Sequence, residues 1–376
     1  MAPSVASDAQ ASSSSVKHSQ PSSSPALSAA AIFTAAYLDH LNSQLATLEP
    51  QKIIQWALVS LPGLYQTTAF GLTGLVILDM ISKISQERQA AAAAAAAASS
   101  APQSSLSSSS SQSDDSDNAS ASASSSSSSL SSSSLSSSSL SSSSLSSSSL
   151  SSATRPPSSP HLVPLIFIDT LHHFPETLHL ATTAAQRYSA PLHTYRPAGP
   201  ATTAAEFASV HGSPALWSSD PDSYDYLVKV EPAQRAYAEL GVRAVFTGRR
   251  RTQRGARSAI PILELDASAG VLKVNALAAW DYDAVWAYIR EHNVPYNPLI
   301  DKGYKSVGDV HSTLPTAPGE GERDGRWKGQ EKTECGLHKD YFKMRAQFLA
   351  AQKKKARGTV TDGALQQAAE AAPVGA

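Results

Sequence analysis

The sequence predicts an α/β fold in which helices cover both faces of a parallel sheet. Apolar runs of strand length alternate with helical segments along most of the chain. The run LVPLIFIDT (162–170) is almost wholly apolar, which is typical of a parallel strand buried on both faces. Polar or Gly-rich stretches follow three predicted strands directly (67–74, 169–177 and 248–257), where such sheets bind ligands.

The N-terminal elements come first. We expect residues 1–26, which are mostly Ser, Ala and Pro, to be disordered. Apolar residues at three- and four-residue spacing predict two helices in 27–62. A strand over 65–69, a Gly-containing turn and a helix from Leu72 complete the first part of the main α/β domain, 27–88.

Residues 89–160 interrupt the pattern with an alanine tract and a serine tract that repeats SSSSL. A five-residue period matches neither a helix face nor a heptad. Isolated leucines among serines bury too little to offset the entropy of ordering. We therefore predict a disordered insertion in a loop, which costs little because closure entropy rises slowly with loop length.

The alternating pattern resumes in 161–313, the rest of the main α/β domain. The predicted elements are a strand 162–170, a helix from Pro175 or Glu176 to Tyr188, a strand 191–197, helices 202–212 and 224–241 (the latter closed by Gly241), a strand 243–248, a hairpin of 260–266 with 271–277, and a helix 281–293 capped by Asp281. Beyond Val294 the chain is rich in Gly, Pro and charge. We expect 314–350 to be a separate C-terminal segment and 351–376 a flexible tail.

Composition narrows the class of protein. A formal net charge of −1 indicates neither a nucleic-acid binder nor an acidic tail protein. One cysteine argues against a disulfide scaffold and fits a reducing compartment. The N-terminus has no apolar signal region, and the longest apolar run, 75–81, is far shorter than a membrane span. The prediction is a soluble cytoplasmic protein that does not contact a membrane.

The stretch TTAFGLTG (67–74) is a candidate anion site, because small residues between a strand and a helix expose backbone N–H groups beside a helix N-terminus. It lacks the G-K-[ST] of a Walker A loop. A plain tight turn between strand and helix is the alternative.

The stretch TGRRRTQRGARS (247–258) is the second candidate. Six arginines (243, 249, 250, 251, 254 and 257) lie between Val242 and Ile260 without an acidic residue. Guanidinium groups match phosphate geometry in bidentate fashion. A solvated basic loop is the alternative, but its position directly after an apolar strand and a glycine favours a bound polyanion.

The stretches DTLHHFPET (169–177) and KTECGLH (332–338) carry the remaining candidates. Adjacent histidines such as His172 and His173 diverge, so we expect packing rather than shared metal ligation. Near Cys335, the cations Lys328, Lys332 and His338 favour a reactive thiolate, and Glu334 opposes it. An inert cysteine is the alternative.

Together these stretches resemble the thioredoxin-dependent 3′-phosphoadenylyl sulfate (PAPS) reductases, particularly those of fungi. The resemblance covers 30–88 and 161–350 and is most specific in GRWKGQEKTECGLH (325–338). It implies an adenine-nucleotide α-hydrolase-like fold with a mobile C-terminal catalytic segment. TTAFGLTG stands where that fold has its pyrophosphate loop, usually SGGxDS, with Phe70 in place of a glycine and Thr73 in place of the aspartate.

The resemblance also implies the site. Cys335 would be the nucleophile, and His338 would polarise the thiol or bind the sulfonyl oxygens. The substrate-binding residues would be Thr67, Thr68, Phe70 and Gly71 for the 5′-phosphosulfate, Asp169 and Thr170 near the nucleoside, and Gly248, Arg249, Arg250 and Arg257 for the phosphates and sulfate, with Lys229 and Lys328 as weaker candidates.

The resemblance further implies no bound cofactor and no metal. Related enzymes that reduce adenylyl sulfate (APS) carry a [4Fe–4S] cluster on two cysteine pairs, whose matching positions here are Asp225–Tyr226 and Asp309 with Ser312. A cluster needs about four thiolates, and the sequence has one cysteine. The expected partners are PAPS, thioredoxin or glutaredoxin as external reductant, and a second copy in a homodimer.

Two other interpretations remain open. A pyrophosphate-loop ATPase that adenylates RNA or a small molecule would need the SGGxDS loop, which is absent. A nucleotide or RNA binder without enzymatic activity would use the basic loop and be indifferent to Cys335, and its affinity would fall steeply with salt.

Overall fold

The computed structural model describes residues 29–100, 163–211, 216–330, 332 and 334–354. The chain divides into two compact units, residues 1–87 with 160–376, and residues 88–159. The predicted disordered N-terminus 1–26, residues 101–160 of the predicted insertion and residues 355–376 of the predicted tail lie outside the described residues.

The described residues form a six-stranded sheet of order β3-β2-β1-β4-β6-β5. Its strands are β1 (Leu64–Thr67), β2 (Leu165–Ile168), β3 (Leu192–Tyr195), β4 (Ala244–Phe246), β5 (Leu263–Asp266) and β6 (Val271–Val274). All neighbours pair in parallel except β5 and β6, which form the predicted antiparallel hairpin. The predicted α/β class with a parallel sheet is confirmed.

Helices occupy most of the connections. They are α1 (Ala29–Ile32), α2 (Ala35–Leu45), α3 (Pro50–Ser60), α4 (Leu72–Ser100), α5 (Pro175–Arg187), α6 (Ala204–His211), α7 (Leu216–Ser219), α8 (Pro221–Asp225), α9 (Glu231–Glu239) and α10 (Tyr282–Glu291). Residues 341–354 are also helical. No helix among the described residues is both long and apolar enough to cross a membrane.

Side-chain alternation along the strands divides the core between the two faces of the sheet. In β2, Leu165 and Phe167 belong to the larger core, while Ile166 and Ile168 belong to the smaller one. The larger core contains residues of α3, α4, α5 and α10, and the smaller one contains Ala233 and Ala236 of α9. A strand whose two faces both pack into a core needs apolar residues at consecutive positions, and the sequence of β2 has them.

Three features differ from the sequence-based expectation. Residues 27–62 contain three helices rather than two, because α1 is a separate short turn. Residues 89–100, predicted to be disordered, continue α4, since alanine has the highest helix propensity and an existing helix propagates easily. Residues 351–354 of the predicted flexible tail belong to the helix 341–354.

The predicted helix 224–241 is instead a composite of α8, a π-helical turn (Tyr226–Val230) and α9. Its predicted end is confirmed: Gly241 has φ +62°, and the N–H of Val242 donates to the carbonyl of Tyr237. These are the features of a glycine-terminated helix. The π-helical turn holds Lys229, and such turns often mark functional sites.

Candidate active site

A cleft of ≈ 230 Å³ opens at the carboxyl ends of the parallel strands. Its wall combines the β1–α4 loop, the loop after β4, the π-helical turn and the C-terminal segment that carries Cys335. Residues more than 250 positions apart in sequence therefore meet where a doubly wound sheet binds its ligand.

The β1–α4 loop is folded tightly against its own helix. The hydroxyl of Thr68 accepts a hydrogen bond from the N–H of Phe70 at 2.9 Å, and Phe70 has φ +55°. A Cβ at Gly74 would lie 2.7 Å from the Thr68 hydroxyl oxygen, so this position requires glycine. The first helical hydrogen bond runs from Leu75 to Gly71, which leaves the preceding N–H groups for an anion.

Phe70 occupies the left-handed conformation that a glycine would adopt without strain. Its ring is buried and packs edge-on against Phe167, with ring centroids 5.5 Å apart. Packing of the ring therefore offsets the backbone strain, which explains how the loop keeps its shape without the glycine.

The arginine loop after β4 places its side chains in two layers. Arg249 and Arg257 are on the cleft wall. Arg250 is completely buried behind the wall, where its Nε donates to the Thr73 hydroxyl at 2.8 Å and its guanidinium pairs with Glu322. The Arg250 side chain thereby joins the two loops that form the wall, and its contact with the substrate phosphates stays a prediction.

Lys229 lies between two buried carboxylates. Its ammonium is 3.1 Å from Asp225 and 2.6 Å from Asp309. Burial alone would lower the pKa of Lys229, but the charges of Asp309 and Asp225 outweigh it and raise the pKa above its ordinary value. Lys229 is thus a fixed cation in the cleft wall.

Cys335 is half-buried on the cleft wall at the start of a 3₁₀ turn, Gly336–His338. Three cationic side chains, Lys229, Arg323 and Arg326, share the cleft wall with Cys335.

The segment around Cys335 is attached on both sides. Glu334 accepts two hydrogen bonds from Arg257, one from Nε and one from Nη2 at 2.8 Å, and lies 3.7 Å from Arg323. On the other side, the Lys332 ammonium is 2.6 Å from Asp225. Burial would raise the pKa of Glu334, but the hydrogen bonds and charge of Arg257 lower it, so Glu334 is ionised at neutral pH.

Two further contacts hold the segment. A Cβ at Gly336 would lie only 2.8 Å from the Cβ of Asp225, so the backbone approaches that helix as closely as a glycine allows. Helix 341–354 then packs on the π-helical turn, with the ring of Phe348 4.8 Å from that of Tyr226. Cys335 therefore lies between two anchored stretches of chain.

Most of the sequence-predicted site residues meet in this cleft. Those on its wall are Thr67, Thr68, Phe70, Gly71, Thr170, Lys229, Gly248, Arg249, Arg257 and Cys335. The side chain of His338 lies outside the described part of the chain.

Two predicted residues besides Arg250 do not reach the wall. Asp169 is buried below it, where its carboxylate accepts hydrogen bonds from the N–H of Leu171 at 3.0 Å and from Arg196 at 2.8 Å. Asp169 therefore stabilises the turn after β2, in which Leu171 has φ +65°. Lys328 is half-exposed and pairs with Glu320 at 2.6 Å. The substrate contacts of these two residues stay predictions.

The adjacent histidines diverge as predicted. His173 stacks on Phe167 at 5.1 Å and its Nε2 contacts the carbonyl of Ile168 at 3.0 Å. His172 turns to the opposite side, where it meets Tyr224 and His311 edge-on. Both rings pack rather than converge.

Sequence reasoning missed Arg323, Arg326 and Trp327, which lie on the cleft wall. Arg326 packs so closely over Gly308 that a Cβ there would overlap its guanidinium, and it stacks on Trp327 at 4.5 Å. Among the described residues, no carboxylate lies within ion-pair distance of Arg326. Burial and the neighbouring Arg257 charge lower the pKa of Arg323 to about 10. The two arginines recur three residues apart in a Gly-rich loop, a pattern that also fits a solvated loop.

Comparison with known proteins extends these observations. Residues 133–315 match the family model described as the phosphoadenosine phosphosulfate reductase domain. The chain is 43% identical over 336 residues to the phosphoadenosine phosphosulfate reductase of Emericella nidulans, covering 89% of this chain and 85% of that protein. It is 42% identical to the Saccharomyces cerevisiae protein of that name, covering 85% of this chain and 95% of that one.

A solved structure is similar as well. The crystal structure of phosphoadenylyl-sulfate (PAPS) reductase from Candida auris, a phosphate complex, is 41% identical to this chain with a TM-score of 0.51. The match covers 75% of this chain and 98% of that one. These relatives and the cleft geometry point to the same class of protein.

Proposed function

The chain belongs to the phosphoadenosine phosphosulfate reductase family, and from this premise we propose that it reduces PAPS to sulfite and adenosine 3′,5′-bisphosphate in assimilatory sulfate reduction. The observation that carries the proposal is the position of Cys335. It lies on the wall of the cleft formed by the β1–α4 loop and the arginine loop after β4, among cationic side chains. The sulfite would serve the synthesis of cysteine and methionine.

In the first step, the Cys335 thiolate attacks the sulfur of the PAPS sulfo group. An S–S bond forms, the bond from that sulfur to the phosphate oxygen breaks, and adenosine 3′,5′-bisphosphate leaves with the electron pair. The product on the enzyme is an S-sulfonate of Cys335.

This attack brings two negatively charged groups together, so neutralising their charge is the main catalytic demand. Lys229 supports this role because its two buried carboxylates keep it protonated and in place. Arg326 supports it because its guanidinium has no paired carboxylate among the described residues and interacts with Cys335. Both cations are fixed before substrate binds and need no reorganisation.

The nucleotide would bind on the opposite wall. The N–H groups at the start of α4, together with the hydroxyl of Thr67 and the loop residues Thr68 to Gly71, suit the 5′-phosphosulfate. Arg249 and Arg257 suit its remaining anionic oxygens, since guanidinium groups bind phosphate in bidentate fashion. This arrangement keeps the sulfo group between the loop and Cys335.

The second step needs an external dithiol, for which we propose thioredoxin or glutaredoxin. Its thiolate attacks the Cys335 sulfur and releases sulfite, and its second thiol resolves the mixed disulfide, which restores Cys335. The sequence contains one cysteine, so the chain has no thiol of its own for this step.

We also propose that no iron–sulfur cluster takes part. At the positions that carry cluster cysteines in APS-reducing relatives, this chain has Asp225 and Asp309, and both carboxylates bind the Lys229 ammonium. Hard carboxylates engaged in an ion pair are poor substitutes for the thiolates of a cluster. The family resemblance further implies that the protein is cytoplasmic and forms a homodimer. Light scattering after size-exclusion chromatography would test the homodimer.

The proposal is tested by comparing sulfite release from PAPS and from APS, with thioredoxin, for the wild type and for Cys335→Ser. We expect turnover with PAPS in the wild type, at least tenfold less with APS, and none in the variant. Binding of adenosine 3′,5′-bisphosphate to Cys335→Ser should stay within a few-fold of the wild type. Sulfite release by Cys335→Ser would refute the nucleophile.

A further inference from the structure

The carboxylate of Glu334 lies among the cations of the cleft, and the proposed reaction gives it no role. It accepts two hydrogen bonds from Arg257 and is 3.7 Å from Arg323, and both arginines are on the cleft wall. Its side chain is only 16% exposed. Glu334 immediately precedes the nucleophile. An internal anion therefore occupies cations beside the point of attack.

Glu334 differs from the other carboxylates that pair with arginines around the cleft. Glu264, the partner of Arg249, belongs to β5, and Glu322, which is itself on the cleft wall, pairs with the fully buried Arg250. Neither carboxylate adjoins Cys335 in the sequence. Glu334 belongs instead to the segment of Cys335, outside any strand or helix of the sheet. Exchanging its carboxylate requires movement of that segment alone.

A carboxylate and a sulfo group present similar pairs of anionic oxygens to a guanidinium fork. We propose that Glu334 is a positioning residue that holds the Cys335 segment on Arg257 and Arg323 and is displaced from them by the sulfo group of the substrate. This inference rests on the proposed function, because the competing group is the one that Cys335 attacks.

The consequence is that substrate affinity and nucleophile placement oppose each other. While Glu334 is bound, it keeps Cys335 at the cleft and reduces the affinity of Arg257 and Arg323 for substrate. The opposite flank does not share this conflict, because there the segment contributes the cation, Lys332, and the anion is the buried Asp225. An incoming anion would displace Asp225 from Lys332 less readily than it would displace Glu334 from its arginines.

The test uses full-length protein with Cys335→Ser, which binds PAPS without reacting, with and without Glu334→Gln. Calorimetry should show PAPS binding about fivefold tighter in the double variant, since a charge-assisted contact no longer has to be replaced. Adenosine 3′,5′-bisphosphate, which lacks the sulfo group, should change by less than about twofold. Glu320→Gln, which removes a carboxylate that pairs with Lys328 outside the cleft wall, is the matched control and should change neither affinity.

With Cys335 intact, Glu334→Gln should lower KM for PAPS about fivefold and change kcat by less than about twofold, because in the bound complex the sulfo group has already displaced the carboxylate. Glu334→Asp keeps the charge and should return KM towards the wild-type value. A second measurement needs no substitution of Glu334: in Cys335→Ser, PAPS but not the bisphosphate should speed hydrogen exchange of amides 334–338.

Unchanged or weaker PAPS binding in the double variant would overturn the inference, and so would equal gains for PAPS and bisphosphate. If Glu334→Gln does not fold, unchanged exchange of amides 334–338 with PAPS would overturn it instead. Failure of Cys335→Ser itself to bind PAPS would refute the proposed function and is thereby distinguished from failure of this inference.

Discussion

Gly336→Ala tests how closely the position of Cys335 depends on the fit of its segment. The added Cβ would lie 2.8 Å from the Cβ of Asp225 and 3.1 Å from its Cγ. Asp225 is completely buried and holds Lys229 and Lys332. The clash cannot be relieved on that side, so the segment of Cys335 has to move.

The size of the effect follows from this distance. Ordinary carbon contacts are about 3.5–4.0 Å, so the backbone at Gly336 would shift by about 1 Å. A misplacement of about 1 Å at a reacting group costs about 10²-fold in rate, or about 2.7 kcal/mol in activation free energy. Gly336 is adjacent to the proposed nucleophile, Cys335, and lies outside the β1–α4 loop. We therefore expect the substitution to lower kcat rather than the affinity for the nucleotide.

The assay is steady-state sulfite release from PAPS with saturating thioredoxin, beside calorimetric binding of adenosine 3′,5′-bisphosphate. We expect kcat to fall about 10²-fold while the bisphosphate affinity stays within about twofold. A kcat within threefold of the wild type would show that the contact with Asp225 does not position Cys335. A parallel loss of bisphosphate affinity would mean that the substitution disturbs the whole cleft.

Three further predictions concern the core, the pH dependence and the cleft charge. Asp79→Ala removes a buried carboxylate that accepts hydrogen bonds from Tyr188 at 3.1 Å and Tyr288 at 2.8 Å. Because two hydroxyls lose their acceptor, the free energy of unfolding should fall by about 2–4 kcal/mol. A change below about 1 kcal/mol in urea unfolding would contradict this prediction. Burial lowers the pKa of His311 to about 4; the nearby charge of Asp309 opposes this shift, and those of Lys229, His172 and Lys332 add to it. Because the unfolded imidazole binds its proton near pH 6.5, this contribution to stability should be complete above about pH 6.5 and be lost as the pH falls towards 4. In His311→Gln the melting temperature should depend less on pH in that range, and an unchanged dependence would refute this origin. Arg326→Gln should lower kcat/KM for PAPS about 10²-fold without destabilising the fold, and activity within threefold of the wild type would remove Arg326 from the charge-neutralising role.

The sequence predicted the parallel sheet well because each strand carries a local signal. The apolar run before Asp169 and the alternating residues of the β5–β6 hairpin specify burial directly. Gly241 likewise marks a helix end by a conformation that few other residues adopt. Elements that neighbouring residues specify could therefore be predicted from the sequence.

The sequence could not predict side-chain positions that depend on contacts with distant residues. Arg250 has the same neighbours in sequence as Arg249, but Thr73 and Glu322 draw it behind the wall. The guanidinium of Arg326 packs on Gly308 and Trp327, and the sequence of the Gly-rich loop predicts neither contact.

Ambiguous local patterns were harder still. The alanine tract after α4 has high helix propensity, but the serine tract that follows favours disorder, so the end of α4 could not be placed from composition. The turn between β1 and α4 was predicted from the sequence, but the left-handed conformation of Phe70 depends on the packing of its ring against Phe167. Such a conformation is stabilised by tertiary contacts and has no signature in the loop sequence.

The central claim is that Cys335 takes the sulfo group from PAPS before any reductant acts. Wild-type protein is mixed with PAPS in the absence of thioredoxin, quenched within a single turnover and digested for mass spectrometry. We predict one SO₃ adduct on the peptide that contains Cys335, formed in step with one equivalent of adenosine 3′,5′-bisphosphate. Release of the bisphosphate without that adduct, or formation of sulfite without a reductant, would contradict the account.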